Sequence, residues 1–133
     1  MKREYRLFLK DIAESCIFIE EFVKDMDFEQ FLNDEKTLSA VIRKLEIIGE
    51  AAKNIPDSVK KKYPNIQWKQ MTGMRDRLIH GYFGISIRLI WGTVRNDIPP
   101  LIKAIFQVLD ENSADLCKTL SDPLFSESQN KQS

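Results

Sequence analysis

The 133-residue sequence has only one histidine, two widely separated cysteines, and five residues each of glycine and proline. So few turn-forming residues argue against a β-sandwich or barrel, in which a turn is needed every ten residues or so. With no Cys-x-x-Cys and no cysteine–histidine spacing, a structural zinc site is not expected. Twenty basic residues balance twenty acidic ones. A nucleic-acid partner therefore cannot be inferred from net charge, and any basic surface must be local.

Long apolar runs are also missing. No stretch approaches the roughly 20 apolar residues that span a membrane, and the amino-terminal MKREYRLFLKD has charges where a signal peptide would be apolar. The hydrophobic fraction of 43% is nevertheless high enough for a globular core. We therefore expect a soluble cytoplasmic protein with no membrane association, and we expect Cys16, on an apolar helical stripe, to be a core residue.

Apolar residues repeat every three or four positions along most of the chain, which predicts amphipathic helices. The first helix is predicted over residues 3–26, followed by a short helical turn or bend at 28–32. Asn33 or Asp34 can cap the next long helix, which Pro56 ends.

The second half of the chain continues this pattern. Residues 56–67 predict a loop with one short helical turn, and the helix that begins at Trp68 can end at Gly81. The last long helix covers residues 87–109, and its apolar phase continues through Pro99-Pro100, which predicts a kink. The fold class is thus all-α, an up-and-down bundle of four to five helices over residues 1–115. We expect the polar tail, residues 116–133, to be disordered.

The single histidine lies in GMRDRLIHGYFG, residues 73–84. Arg75 and His80 are five residues apart, so an ideal helix separates them by about 140° around its axis. For both to serve one site, the helix must loosen near Gly81 or a second surface must meet it. Arg77 is closer to His80 on the helix surface, at i,i+3.

These side chains suit phosphate chemistry. A histidine in the last turn lies at the negative end of the helix dipole, which favours the protonated imidazole, and arginine binds phosphate oxygens with a fixed fork of donors. Together with Tyr82 they could cleave RNA without metal, since Arg75 would stabilise charge while His80 moves a proton. A two-fold dimer would supply a second histidine. Helix capping and packing explain the same residues equally simply.

Other features allow two interpretations. Glu46 and Glu50 are i,i+4 on one helix face but lack the further ligands that a metal needs, so no metal site and no cofactor is predicted. The lysine run at 60–62 could contact an RNA backbone or simply be solvated. Trp68 and Trp91 lie on apolar stripes and are predicted to be core residues, with base stacking as the alternative.

The segment RDRLIHGY, residues 75–82, fits the pattern R-x4-H-x-Y and resembles the HEPN superfamily, in particular its HepT-like branch of ribonuclease toxins. Three longer segments carry the same resemblance: RKLEIIGEAAKNIP at 43–56, YPNIQWKQMTGMRDRLIHGYFGI at 63–85 and IWGTVRNDIPPL at 90–101. Together they cover most of residues 5–110, and the tail from about 115 lies outside the resemblance.

The resemblance implies an α-helical homodimer that cleaves RNA without metal, with the motifs of both subunits lining one cleft. The resemblance also implies that the protein is the toxin of a type VII toxin–antitoxin pair, and that its partner is a minimal nucleotidyltransferase antitoxin of the MntA type. Carried onto this sequence, the catalytic residues are Arg75 and His80, and Tyr82 is the tyrosine to which the antitoxin transfers AMP. Asp76 stands where the family often has asparagine, and it could neutralise or orient Arg75. Glu50 is a candidate partner for Arg75 or a solvated charge.

Two further functions fit the same residues. The chain could be a non-catalytic HEPN module that holds a nucleotidyltransferase or RNA without cutting. It could also be a substrate-binding subunit that presents nucleotides to that enzyme. Because Arg75, His80 and Tyr82 occur together, the sequence favours the metal-independent endoribonuclease.

Overall fold

A computed structural model describes residues 4–80 and 85–111 of the chain. All the regular elements in these two ranges are helices, as the apolar spacing predicts. They are α1 (Tyr5–Phe22), α2 (Phe28–Leu32), α3 (Glu35–Lys53), α4 (Asp57–Lys62), α5 (Trp68–His80), α6 (Ile87–Gly92), a π-helical segment (Thr93–Asp97) and α7 (Ile98–Glu111).

The long helices form a bundle in which α3 packs against both α1 and α5, and α1 packs in turn against α7. α1 and α3 run antiparallel, because Phe8 shares a pocket with Ala51 near one end while Lys44 lies over the Phe18 ring nearer the other. The Tyr63 hydroxyl, just after α4, donates to Glu111 at the end of α7 (2.7 Å). The predicted all-α bundle is confirmed, with α2 and α4 as short additional helices.

One continuous core joins these helices. Its fully buried side chains include Leu9, Ile12, Cys16 and Ile19 from α1, Phe31 from α2, Val41 and Ala52 from α3, and Ile105 and Val108 from α7. Trp68 is buried as predicted, and Trp91 is half-buried against Phe31, with ring centroids 4.9 Å apart. Burial raises the pKa of the Cys16 thiol to about 12, which fits a core residue and not a reactive one.

The first helix is shorter than predicted. It ends at Phe22 instead of residue 26, because the chain turns at Asp25, whose φ of 61° lies in the left-handed region. Asp27 then starts α2 with a capping box: its carboxylate accepts from the Gln30 amide (2.8 Å) and the Gln30 side chain accepts from the Asp27 amide (2.9 Å). Residues 1–3 lie outside the described ranges.

Asp34, one of the two predicted caps, begins α3. Its carboxylate accepts hydrogen bonds from the Thr37 amide (3.0 Å) and the Thr37 hydroxyl (2.8 Å). The hydrogen bond from the Thr37 backbone, followed by the one from its hydroxyl, stabilises the charged carboxylate. Together they lower the pKa of Asp34 below its ordinary value. This cap therefore fixes where the long helix α3 starts, and with it the position of every later residue on that helix.

The interruption in the last long helix differs in form from the prediction. Helical structure continues from Ile87 to Glu111, and the irregular turn is the π-helical segment that precedes the two prolines. Pro99 and Pro100 lie in the first turn of α7, directly after this segment, and neither has an N–H to donate to the preceding turn. A π-helical turn accommodates the change in hydrogen bonding without breaking the helix.

Candidate functional site

α3 and α5 approach each other closely where Gly49 faces Arg75. A Cβ atom on Gly49 would overlap Arg75 Cβ and would lie 2.7 Å from the Met71 carbonyl oxygen. Only glycine fits at this crossing, since any side chain would push α5 away. The apolar spacing and the motif do not point to Gly49. A glycine on the apolar face in the middle of a helix, with Ala51 and Ala52 close behind it, was the available signal for close packing.

This close approach places the Arg75 guanidinium beside α3. Its Nη2 lies 2.8 Å from Glu50 Oε2, and its Nη1 lies 3.2 Å from Asp76 Oδ1. The Arg75 side chain is 22% exposed, whereas the Glu50 and Asp76 side chains are 55% and 60% exposed. Glu50 and Asp76 thus both pair with Arg75. For Glu50 this is one of the two alternatives left open, and for Asp76 the ion pair is compatible with either a neutralising or an orienting role.

A pocket of about 350 Å³ opens beside this ion pair, between α1, α3 and α5. Glu50 and Arg75 line it, together with the apolar side chains of Phe8, Ile47 and Ile79. Ile79 is 45% exposed although it is a large apolar residue. The pocket therefore combines the Arg75–Glu50 ion pair with an apolar wall that is partly open to solvent.

His80 is the last residue of α5 and is exposed. It does not line the Arg75 pocket, in agreement with the angle of about 140° that an ideal helix puts between the two residues. Within the described residues, Arg75 and His80 are therefore not brought to one site. Tyr82 and Gly81 lie outside the described residues.

Neither a metal site nor a membrane span is evident in the described part of the chain. Residues 4–80 and 85–111 contain no group of three or more His, Cys, Asp or Glu side chains placed to hold a metal ion. No helix within these ranges combines the length and apolar character that crossing a bilayer requires. Lys60, Lys61 and Lys62 form the basic last turn of α4, away from the Arg75 pocket.

The structure defines this chain as an all-α bundle protein whose candidate site lies on α5, which carries Arg75 and His80. Comparison with known proteins then identifies the family. The model of the family described as "HepT-like: Ribonuclease HepT-like" matches residues 12–121. This chain belongs to the HepT-like ribonuclease family, as the resemblance implied.

Relatives agree with this assignment. The protein named "Probable ribonuclease HepT" from Thermococcus cleftensis is 55% identical over 101 residues, which are 76% of this chain and 92% of the relative. "Putative RNase MJ0127" from Methanocaldococcus jannaschii is 48% identical over 118 residues, covering 84% of this chain and 98% of the relative. "Putative RNase TTE0752" from Caldanaerobacter subterraneus is 43% identical over 106 residues, which are 80% of this chain and 95% of the relative. No solved structure matches the chain.

Proposed function

We propose that this protein is an endoribonuclease that cleaves RNA without metal, with Arg75 and His80 as its catalytic residues. The observation that carries the proposal is the position of Arg75 in a chain of the HepT-like family. The Arg75 Cβ faces Gly49 and its guanidinium pairs with Glu50 at a pocket, while the His80 imidazole lies five residues further along the same helix. Family membership and the names of the relatives support the reaction.

The proposed chemistry uses side chains alone. A neutral imidazole takes the proton of the RNA 2′-hydroxyl, whose oxygen attacks the adjacent phosphorus. The guanidinium of Arg75 stabilises the additional negative charge on the phosphoryl oxygens. The bond from phosphorus to the 5′-oxygen breaks, and a protonated imidazole gives that oxygen a proton. The products are a 2′,3′-cyclic phosphate and a free 5′-hydroxyl.

This sequence of proton transfers requires two imidazoles, but each chain has one histidine. We infer that two copies form a homodimer in which both motifs line one cleft. Such a dimer could also bring the His80 of one copy towards the Arg75 of the other, which one helix does not do. Light scattering should show a dimer at micromolar concentration, and a monomer would contradict this arrangement.

The partner proposed for this homodimer is a minimal nucleotidyltransferase antitoxin, with Tyr82 as the residue that receives AMP. The resemblance of RDRLIHGY to the HepT-like motif supports this proposal. The gene beside this one should encode the nucleotidyltransferase.

The test of the reaction uses purified protein and total RNA in excess chelator. We expect cleavage by the unmodified chain and a loss of several orders of magnitude in His80→Ala and Arg75→Ala, since each removes an interaction with the transition state. Arg75→Lys keeps the charge but lacks the planar fork and should recover little activity. Lys53→Ala, on an exposed part of α3, is the control. Cleavage that chelator abolishes would refute the mechanism.

A second candidate function is a HEPN module that binds its partner or RNA without cutting it. The observation that favours it is the pairing of Arg75 with two carboxylates, which leaves the guanidinium little free charge for a phosphate. In that case the chain would bind RNA or the nucleotidyltransferase, and all of the variants above would be equally inactive on RNA.

A further inference from the structure

A second groove lies on the other side of α5 from the Arg75 pocket. It has a volume of about 730 Å³, and it runs between α5 and the helix formed by α6 and the π-helical segment. Arg77 lines it from α5 and Arg88 lines it from α6, and both are exposed. The groove is therefore open to solvent, with a largely apolar floor and an arginine on each wall.

α5 also carries a basic stripe, of which Gly73 and Arg77 line the groove while Lys69 and His80 are not among its lining residues. Lys69, Gly73, Arg77 and His80 are spaced i, i+4, i+8 and i+11, which places them within about 80° of one another around the helix axis. Lys69, Arg77 and His80 are exposed. No ion pair connects Lys69 or Arg77 to a carboxylate within the described part of the chain. The candidate catalytic His80 thus shares its helix face with Arg77 and not with Arg75.

The opposite wall presents a preorganised arginine. The Arg88 guanidinium lies over the Phe28 ring, 4.2 Å from its centroid. Stacking on an aromatic face fixes the guanidinium plane and leaves its N–H edges available to an anion. Asp97 is the one carboxylate among the described residues that line the groove, and it accepts a hydrogen bond from the Gln70 side chain (3.1 Å).

The groove also allows close approach to the backbone. Gly73 on one wall and Gly92 on the other both face open space, because a Cβ atom on either would have nothing within 4 Å. The stripe from Lys69 to His80 extends about 16 Å along the axis, which is enough to contact several successive phosphates of an extended strand. Its charge is complementary to a polyanion.

We propose that this groove binds the phosphate backbone of the RNA substrate and leads the strand to His80, with Arg77 and Arg88 as phosphate ligands. The proposal rests on the proposed function, because it names the surface on which that reaction would hold its substrate. The two arginines of α5 would then have different roles. Arg75 acts at the scissile phosphate, and Arg77 contacts phosphates elsewhere along the strand.

The binding test uses His80→Ala protein and a labelled single-stranded RNA of 12 nucleotides, measured by fluorescence anisotropy across a salt series. Removal of one phosphate contact reduces the slope of log K against log salt by about 0.7 and weakens binding roughly fivefold at 0.1 M salt. We expect such changes from Arg77→Ala and from Arg88→Ala. Lys103→Ala, on an exposed part of α7, should bind as the parent does.

Gly73→Leu tests the groove without removing a charge. Its side chain would enter open space, so the fold should be retained, as circular dichroism can verify, while the strand would be kept from the α5 backbone. Weaker RNA binding by this folded variant would support the groove. The proposal would be overturned if all three groove variants bound RNA as tightly as the parent does. It would also be overturned if these variants lost binding to an acidic protein partner but kept their binding to RNA.

A cleavage experiment with His80 intact separates this proposal from the proposed function. Arg77→Ala should lower kcat/KM for the 12-nucleotide RNA through KM and leave cleavage of a dinucleotide unchanged. Equal losses on both substrates would place Arg77 in the chemistry and overturn its assignment to the groove. If the unmodified chain binds RNA through the groove but cuts neither substrate, the groove stands and the proposed reaction fails.

Discussion

Gly49 and Arg75 are in direct contact across the α3–α5 crossing, and this contact sets the position of the guanidinium. The backbone of α3 replaces a side chain at this point, so α5 lies close enough for Arg75 to reach Glu50 at 2.8 Å. Arg75 is thereby held at the bundle surface by one apolar contact and two carboxylates. Its position therefore depends on a residue with no chemical function of its own.

Substitution of Gly49 by alanine should separate α3 from α5. The added Cβ would meet Arg75 Cβ and the Met71 carbonyl oxygen, and the backbone oxygen cannot rotate away. Overpacking costs about 1–3 kcal/mol and alanine recovers up to about 1 kcal/mol of helix propensity, so we expect a net loss of roughly 1–2 kcal/mol. Urea denaturation measures this, and RNA cleavage should fall further than stability alone explains.

The matched control is Gly73→Ala on α5. There a Cβ would enter open space, so alanine should raise the free energy of unfolding by up to about 1 kcal/mol. If Gly49→Ala were as stable as Gly73→Ala, the close approach of the two helices would not be a constraint.

Glu50→Gln should release one of the two carboxylates from Arg75. Because the Glu50 side chain is 55% exposed, the ion pair contributes less than about 1 kcal/mol to stability, and the variant should unfold almost as the parent does. Removal of a negative charge about 6 Å from a bound phosphate should tighten RNA binding about threefold in water-like dielectric. Binding isotherms at low salt measure the change.

Glu46→Gln is the control for this change, because Glu46 lines the same pocket but pairs with Arg43 at 3.6 Å. Equal effects of the two glutamine variants would mean that general electrostatics, and not the pairing with Arg75, governs RNA binding.

Tyr82→Phe should remove the acceptor of AMP. Transfer of AMP to the hydroxyl would add a phosphodiester charge and a bulky base two residues from His80, which would repel an RNA phosphate and compete for Arg75. Co-expression with the cognate nucleotidyltransferase should add the mass of AMP to the peptide that contains Tyr82, and mass spectrometry detects it. The phenylalanine variant should take no label and should escape neutralisation by this route. A label found only on other peptides would show that another residue is the acceptor.

Asp34 should make stability depend on pH at the acidic end. Its pKa is lowered in the folded chain by the Thr37 hydrogen bonds, so its contribution is present above the unfolded carboxyl value of about 3.9 and is lost as the pH falls through the lower folded value. Asp34→Asn can keep a capping hydrogen bond without a titrating carboxyl. The difference in Tm between the parent and this variant should therefore shrink between pH 5 and strongly acidic pH, and a constant difference would contradict the assignment.

Local sequence determined where most helices lie. The three-to-four spacing of apolar residues identified the long helices, and Asp34 and Pro56 marked both ends of α3, because caps and prolines act within one turn of the chain. The end of α1 was wrong by four residues, since periodicity does not report the left-handed turn at Asp25. The π-helical segment was also missed, because the apolar residues around it keep a spacing of three or four, which is the spacing expected of an α-helix.

The motif R-x4-H-x-Y and the family were determined by the sequence alone, since both depend on residue types at fixed spacing. Only the tertiary structure decided the surroundings of these residues. It alone chose Glu50 as a partner of Arg75, placed Gly49 against α5, and separated the Arg75 pocket from the groove that contains Arg77. The physical reason is that these contacts join residues on different helices. The distance and rotation between packed helices depend on side chains far apart in the sequence.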